Sequence, residues 1–232
     1  MEIIFTNVSN FKDLEKPKPA SSFIPEWYKT MDSYIDGKKI PDATGFTTAT
    51  LKKCMPIFDS MVAGYIITSP ADLWVTIKDN APFYQWASLD LISVHTSQQV
   101  PYYPSDRNFR YPMESYPKWH SYWGIKTPKG YSSLFLPPMH RDSVFKIIPG
   151  LVDTDTYTAP VNFPFELNDP NFEGLIPKGT PIAQVIPIKR DNWEMSFGQE
   201  KEFIEQDNVT KKLVTAFYDK YKKMFRQEKI YK

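Results

Sequence analysis

The chain has 232 residues, enough for one large domain or a domain with substantial additions, and 41% of them are hydrophobic. Its 28 basic residues against 27 acidic ones give a net charge of +1, which excludes binding nucleic acid by bulk charge while leaving room for a local patch. A single cysteine, Cys54, excludes a disulfide framework and a multi-cysteine zinc site, and 21 prolines against 9 glycines fit a loop-rich β protein.

Along the chain, Glu2–Val8 reads as a short strand and Lys16–Pro25, with three prolines, as an extended loop. Pro25 then offers a helix start ahead of Trp27 and Tyr28. Asp36-Gly37 signals a turn, and Lys53–Met61 reads as one or two helical turns. Ala63–Ile67 and Leu73–Ile77 predict two strands, and Ser88–Val94 another. Pro101–Pro117 reads as a long irregular connection, either a packed surface loop or a functional one. Strands then follow closely at Gly124–Thr127, Ser132–Pro137, Val144–Val152, Asn162–Leu167 and Pro181–Lys189, separated by proline or glycine, a spacing that predicts a sandwich or barrel. Val209, Leu213, Phe217, Tyr221, Met224 and Phe225 recur at helical spacing and predict an amphipathic helix over about Asn208–Arg226, docked on the body by that stripe. The reading is a single domain: residues 1–60 as N-terminal elaboration, 61–195 as core and 196–232 as helical tail. The opening Met1-Glu2-Ile3-Ile4-Phe5 lacks a signal peptide's basic flank, and no apolar run reaches the ~20 residues of a bilayer span. A cytoplasmic protein with no membrane partner is expected.

Four segments carry the candidate chemistry. Pro128-Lys129-Gly130-Tyr131-Ser132-Ser133 places two hydroxyls after a glycine turn, and Gly150–Tyr157 ends an apolar strand in Asp153, Asp155 and an aromatic ring. Lys178-Gly179-Thr180-Pro181 reads as a hairpin turn into a strand with one embedded glutamine, Gln184. Upstream stands Ala63-Gly64-Tyr65. In order and approximate spacing these segments resemble the dUTPase/dCTP-deaminase superfamily, over roughly Gly124 to Arg190 with a fainter echo at Ala63–Tyr65. That resemblance implies a β-clip, or distorted jelly-roll, core that binds a nucleotide or nucleotide-like small molecule, and a homo-oligomer with shared sites. It implies Asp153 as the catalytic carboxylate, orienting the sugar or activating water, with Tyr157 packed on sugar or base. Ser132, Ser133, Asp155 and Gln184 would complete the ligand contacts; Lys129, Lys178 and Arg190, which the resemblance does not specify, would add positive charge. Hydrolysis of a triphosphate would bring in magnesium, held by phosphates and one or two carboxylates.

The departures from the pattern are specific. Ile66 stands where the family has aspartate and Tyr131 where it has arginine, which removes a bidentate phosphate contact. Tyr157 comes one residue late with no glycine after it, and Gly198 is the only glycine beyond Gly179. The whole chain, including Lys52-Lys53-Cys54-Met55-Pro56, also resembles an uncharacterised family of phage and bacterial proteins, which implies a viral origin and no chemistry. Three functions stay open: a nucleotide hydrolase, a sponge that sequesters a nucleotide signal, and a non-catalytic phage structural, assembly or host-interaction protein. Elsewhere, His140-Arg141-Asp142 lacks the later histidine of an oxygenase and the companion motifs of a kinase. His95, His120 and His140 have no metal-ligand pattern. Trp119-His120-Ser121-Tyr122-Trp123 reads as core packing before it reads as a stacking wall, and Cys54 has no base partner.

Overall fold

The computed structural model of the chain describes residues 1–9, 11–38, 48–79, 81–87, 90–96, 115–214 and 220–232. Its strands are β1 (Ile4–Asn7), β2 (Lys18–Pro19), β3 (Tyr65–Thr68), β4 (Leu73–Lys78), β5 (Ala81–Gln85), β6 (Ile92–Thr96), β7 (Ser115–Trp119), β8 (Trp123–Lys126), β9 (Tyr131–Leu136), β10 (Phe145–Ile147), β11 (Gly150–Val152), β12 (Phe163–Leu167), β13 (Gly174–Ile176) and β14 (Pro181–Lys189). The α-helices are α1 (Glu26–Thr30), α2 (Met55–Val62) and α3 (Glu200–Val214). The fold is mostly β with antiparallel sheets and a C-terminal helix, as the sequence predicts. Two compact units are present, one of Met1–Phe23, Ala63–Arg190 and Tyr231–Lys232, the other of Ile24–Val62 and Asp191–Ile230.

The first unit holds all the described strands, in antiparallel sheets of order β11-β9-β14-β3-β2, β10-β12-β7-β6, β13-β4-β5 and β1-β8. Alternation sets which side chains go inward: in β4, Leu73 and Val75 are fully buried while Trp74 between them is 52% exposed. The core gathers such residues from several sheets, with Trp119, Phe145 and Phe165 packed ring to ring at 5.2–5.4 Å. The predicted single strand Val144–Val152 is in fact two. Pro149 has no N–H to give a ladder, and the chain changes sheets there, β10 pairing with β12 and β11 with β9. The Lys178-Gly179 turn is likewise no hairpin, because β13 pairs with β4 while β14 pairs with β3 and β9. The predicted loop Lys16–Pro25 contains β2, and β5 and β13 were not anticipated. Of the irregular connection, residues 101–114 lie outside the described residues and its end is β7.

The second unit is helical and has its own small core of Tyr28, Met61 and Val62, with Ile24, Trp27, Ile57 and Phe58 packed around it. Asp59 on α2 is 8% exposed and accepts hydrogen bonds from Arg226 Nε at 3.0 Å, Arg226 Nη2 at 2.6 Å and Lys229 Nζ at 3.0 Å. The predicted helix Asn208–Arg226 is corrected at both ends. It begins eight residues earlier, where Glu202 accepts from Gln199 N at 2.9 Å and Glu200 adds charge to the first turn. It is described to Val214, Phe217 lies outside the described residues, and Tyr221–Phe225 form a π-helical turn. On α3, Phe203 is 68%, Val209 38% and Leu213 41% exposed. No described helix is long and apolar enough to cross a membrane.

Candidate functional site

Antiparallel pairing of β9 with β11 and β14 brings two of the singled-out segments, Pro128–Ser133 and Gly150–Tyr157, together with Arg190 to one corner of the five-stranded sheet. Ser132 lies opposite Ile188 on β14, and Ser133 opposite Val152 on β11, so the turn after β11 folds back beside the serines. Ser132 Oγ donates to Asp153 Oδ1 at 2.7 Å. Gly130, at φ +85°, turns its N–H onto Asp155 Oδ2 at 2.8 Å. Arg190, the first residue after β14, is anchored by its own N–H to Gly130 O at 2.8 Å and closes the corner. Its Nη1 lies 3.1 Å from Ser132 Oγ, 3.1 Å from Asp153 Oδ1 and 2.9 Å from Asp155 Oδ1, while Nη2 donates to Asp155 Oδ2.

This geometry spends the polar groups on one another. The side chain of Asp155 is 4% exposed, and its carboxyl is held down to about 2, first by Arg190 and then by the Gly130 N–H. Asp153 remains 62% exposed at the rim. The arginine named as a source of positive charge for a ligand is therefore neutralised by the two carboxylates beside it. Ser132 is 1% exposed, with its hydroxyl both donating and accepting inside the corner.

Ser133 and Gln184 take structural positions. Ser133 is fully buried and joins Thr154 and Thr127 in a chain of hydroxyls, 2.9 Å and 2.8 Å apart. Gln184 is also fully buried, accepting from Met139 N at 3.0 Å and donating to Ala63 O at 2.7 Å. It pairs with Leu136 where Ile188 pairs with Ser132, four residues along β14, which is about 13 Å of strand. Gln184 thus binds strand to strand far from the corner. Gly64 belongs to the same crossing: at φ +70°, a Cβ there would lie 1.9 Å from Val185 O. The Ala-Gly-Tyr segment and the embedded glutamine are two halves of one backbone clamp.

Beyond the corner, a cleft of about 390 Å³ opens in the first unit, lined by Lys118, Val152, Tyr157, Pro160, Val161, Asn162 and Pro164. Backbone bonds from Thr156 N and Tyr157 N to Asp153 O, at 3.1 Å and 2.8 Å, close the turn that carries the Tyr157 ring from the acidic corner to this cleft. Of the residues singled out in the sequence, Tyr157 alone lines it. Lys129 is exposed in the turn before Gly130, and Lys178 is fixed at the backbone, its N–H donating to Asp72 Oδ1 at 2.6 Å.

No family model matches this chain, and no curated protein matches it. Among solved structures it is similar to a mutant dUTPase of Staphylococcus bacteriophage 80alpha with dUpNHpp, at 12% identity over 86% of this chain and 89% of that one, with a TM-score of 0.37. It is also similar to a mutant dUTPase of phage phi11 of S. aureus, whose structure concerns coordination of a structural Mg(II) ion, at 15% identity over 61% of this chain and 86% of that one, with a TM-score of 0.31. The likeness is distant and assigns no residue a role.

Magnesium does not fit the corner as built. Asp153 and Asp155 already share one guanidinium, and a divalent cation would have to displace it to gain oxygen ligands. Among the described residues no three His, Cys, Asp or Glu side chains are grouped to hold a metal, and the His95 side chain lies outside them. Trp119 and Trp123 are buried in the core, in line with a packing role, and His120 Nε2 sits 2.8 Å from Ser93 Oγ. Sequence reasoning missed Lys118 and Asn162. Neither lies in a motif, and only the pairing of β12 with β7, Phe163 opposite Trp119 and Pro164 opposite Lys118, brings them together.

Proposed function

We propose that this protein binds a nucleotide-like small molecule, a planar ring bearing an anionic group, and holds it without converting it. The carrying observation is the Lys118–Tyr157–Asn162 cleft of about 390 Å³, a volume in the usual range for small-ligand sites. Tyr157, 51% exposed, offers an aromatic face for a ring. Lys118 supplies an ammonium for a phosphate or carboxylate, and the Asn162 amide can both donate and accept along a base edge. Val152, Pro160, Val161 and Pro164 furnish apolar walls. The motif resemblance of Gly150–Tyr157 implies Tyr157 as a ligand contact, with its ring one residue late in the pattern.

Binding is favoured over hydrolysis by the state of Asp153. This carboxylate is outside the lining of the cleft, with Oδ1 held in the corner by Ser132 and Arg190 and Oδ2 open to water. Sequestration of a nucleotide-like signal follows as the form of the reading to test first. A second reading, an assembly or host-interaction protein, is favoured by one observation: Trp193, Met195 and Phe197 are 83–90% exposed at alternate positions.

Thermal-shift screening with a nucleotide panel, with and without magnesium, followed by calorimetry on the best ligand, tests the proposal. At least one nucleotide should stabilise the protein and be recovered unchanged. Lys118→Ala and Tyr157→Ala should each weaken binding by about tenfold, the loss of one charge-assisted contact or one stacking face. If no nucleotide binds, or both variants bind as well as the wild type, the cleft is not the site. Product formation abolished by Asp153→Asn would replace the binding reading with a hydrolase.

A further inference from the structure

A second polar cluster stands in the first unit, on the outer face of the sheet of order β10-β12-β7-β6. In the β6–β7 pair, Ile92 lies opposite Trp119, and both are buried in the core. Alternation turns the next pair, Ser93 and Lys118, to the opposite face. His120 follows two residues after Lys118 on that face, its backbone N–H donating to Leu91 O at 3.0 Å. There the imidazole meets two partners. Nε2 lies 2.8 Å from Ser93 Oγ, and Nδ1 lies 3.6 Å from Asp90 Oδ2. The His120 side chain is 17% exposed and Ser93 is half-buried, so the pair is shielded yet reachable. Tyr122 contacts both ends of the cluster. Its ring stands edge-on to the imidazole, 6.3 Å between centres, and its hydroxyl donates to Asp90 O at 2.5 Å. It does so from φ +56°, a strained conformation for an aromatic residue.

We infer that Ser93 is a nucleophile, with His120 its general base and Asp90 the positioning carboxylate, for transfer of an acyl group from a small carboxylic ester to water. A serine hydroxyl becomes nucleophilic when an imidazole nitrogen within hydrogen-bond reach can take its proton and a third group orients the ring. The Asp90 charge beside Nδ1 favours a proton there, which leaves the Nε2 lone pair for the Ser93 O–H. In the first step Ser93 Oγ bonds to the ester carbonyl carbon and its proton passes to Nε2. The ester C–O bond then breaks as the leaving alcohol takes that proton. Water, deprotonated by Nε2 in turn, attacks the acyl carbon; the acid leaves and the proton returns to Ser93. Lys118, directly opposite Ser93, offers an ammonium to the carbonyl oxygen as it gains charge. One cation suits one developing oxyanion, whereas a transferring phosphoryl group spreads charge over three oxygens. Asp90 is 80% exposed, so water screens its hold on His120 and its share of the rate is small. Lys118 also lines the cleft, which puts Ser93 beside it, but the inference does not rest on nucleotide binding.

Labelling of the full chain by a fluorophosphonate probe, with hydrolysis of p-nitrophenyl butyrate in parallel, tests this. Peptide mass spectrometry should find the label on Ser93, and Ser93→Ala should abolish both labelling and turnover. His120→Gln keeps a hydrogen-bond partner for Ser93 but no base. It should slow labelling by roughly a hundredfold at unchanged melting temperature. Asp90→Asn should slow labelling by about threefold, and Asp90→Glu, which keeps the charge, should restore it. A wild type that takes no label at Ser93 overturns the inference. So does labelling as fast in His120→Gln as in the wild type, or ester turnover undiminished by Ser93→Ala.

Discussion

Among the described residues each unit contains an arginine tied to carboxylate, Arg226 in one and Arg190 in the other, and the two contacts serve different ends. In the helical unit a single carboxylate, Asp59, faces two cations, Arg226 and Lys229, with the guanidinium over the Phe58 ring at 5.8 Å from its centre. The side chains of Asp59 and Arg226 are 10% and 16% exposed, so the contact is shielded and pins the chain's last segment to α2. In the β unit the ratio is reversed, with two carboxylates on one guanidinium and Arg190 and Asp153 open to water at 40% and 62%. The first arrangement is a fastener. The second is a rim that leaves one negative charge uncompensated beside a cleft. Burial and stoichiometry separate the two roles, because a shielded ion pair broken on one side leaves a stranded charge while an exposed one is rescued by solvent.

The strongest way to break the comparison is to remove the frame on which the Arg190 corner stands. Gly64→Ala would drive a Cβ into Val185 O at a backbone angle that alanine rarely adopts. A loss of about 4 kcal/mol or more is expected, read by chemical denaturation or as insoluble expression. Ordinary stability of this variant would mean that β14 does not pass Gly64 as closely as the structure has it.

Asp59→Ala should have the middle effect, about 2 kcal/mol of stability, because Arg226 loses its acceptor in a shielded place while Lys229 regains water. The Arg226 hydrogen bond, and after it Lys229, holds the Asp59 carboxyl below its ordinary value against the opposing effect of burial. A carboxyl lowered in the folded state contributes stability that is present above its unfolded pKa, about 4, and is lost as pH falls through the folded one. Wild-type melting temperature should therefore fall as pH drops below about 4, and Asp59→Ala should flatten that fall. Equal slopes in the two proteins would deny the fastener its role.

The smallest effect on stability is expected for Arg190→Ala, whose side chain is 40% exposed. Its signature is local instead. Without the guanidinium the Asp155 carboxyl should rise from about 2 toward the ordinary range, held back by the N–H groups of Gly130 and of Asp155 itself. Carboxyl-carbon NMR titration reads this directly, and an unmoved Asp155 would assign its acidity to the turn alone.

Period-two alternation, turn residues at short spacing and the shortage of glycine were enough to place most of the strands and to read the chain as mostly β. They are local signals and needed no partner. A C-terminal helix was legible in the same way, whereas its start lay in a capping contact from Gln199 to Glu202 that periodicity does not register. Of the candidate site, the resemblance to the dUTPase pattern implied Ser132, Asp153, Asp155 and Tyr157; tertiary structure brings the first three to one corner and carries Tyr157 on to the cleft. Composition could not say that Arg190 would spend both carboxylates, nor that Gln184 would clamp backbone about 13 Å along the strand. Lys118 and Asn162 were invisible for the same reason. A side chain's direction and partners depend on strands far apart in sequence, and only the pairing of those strands decides what each polar group meets.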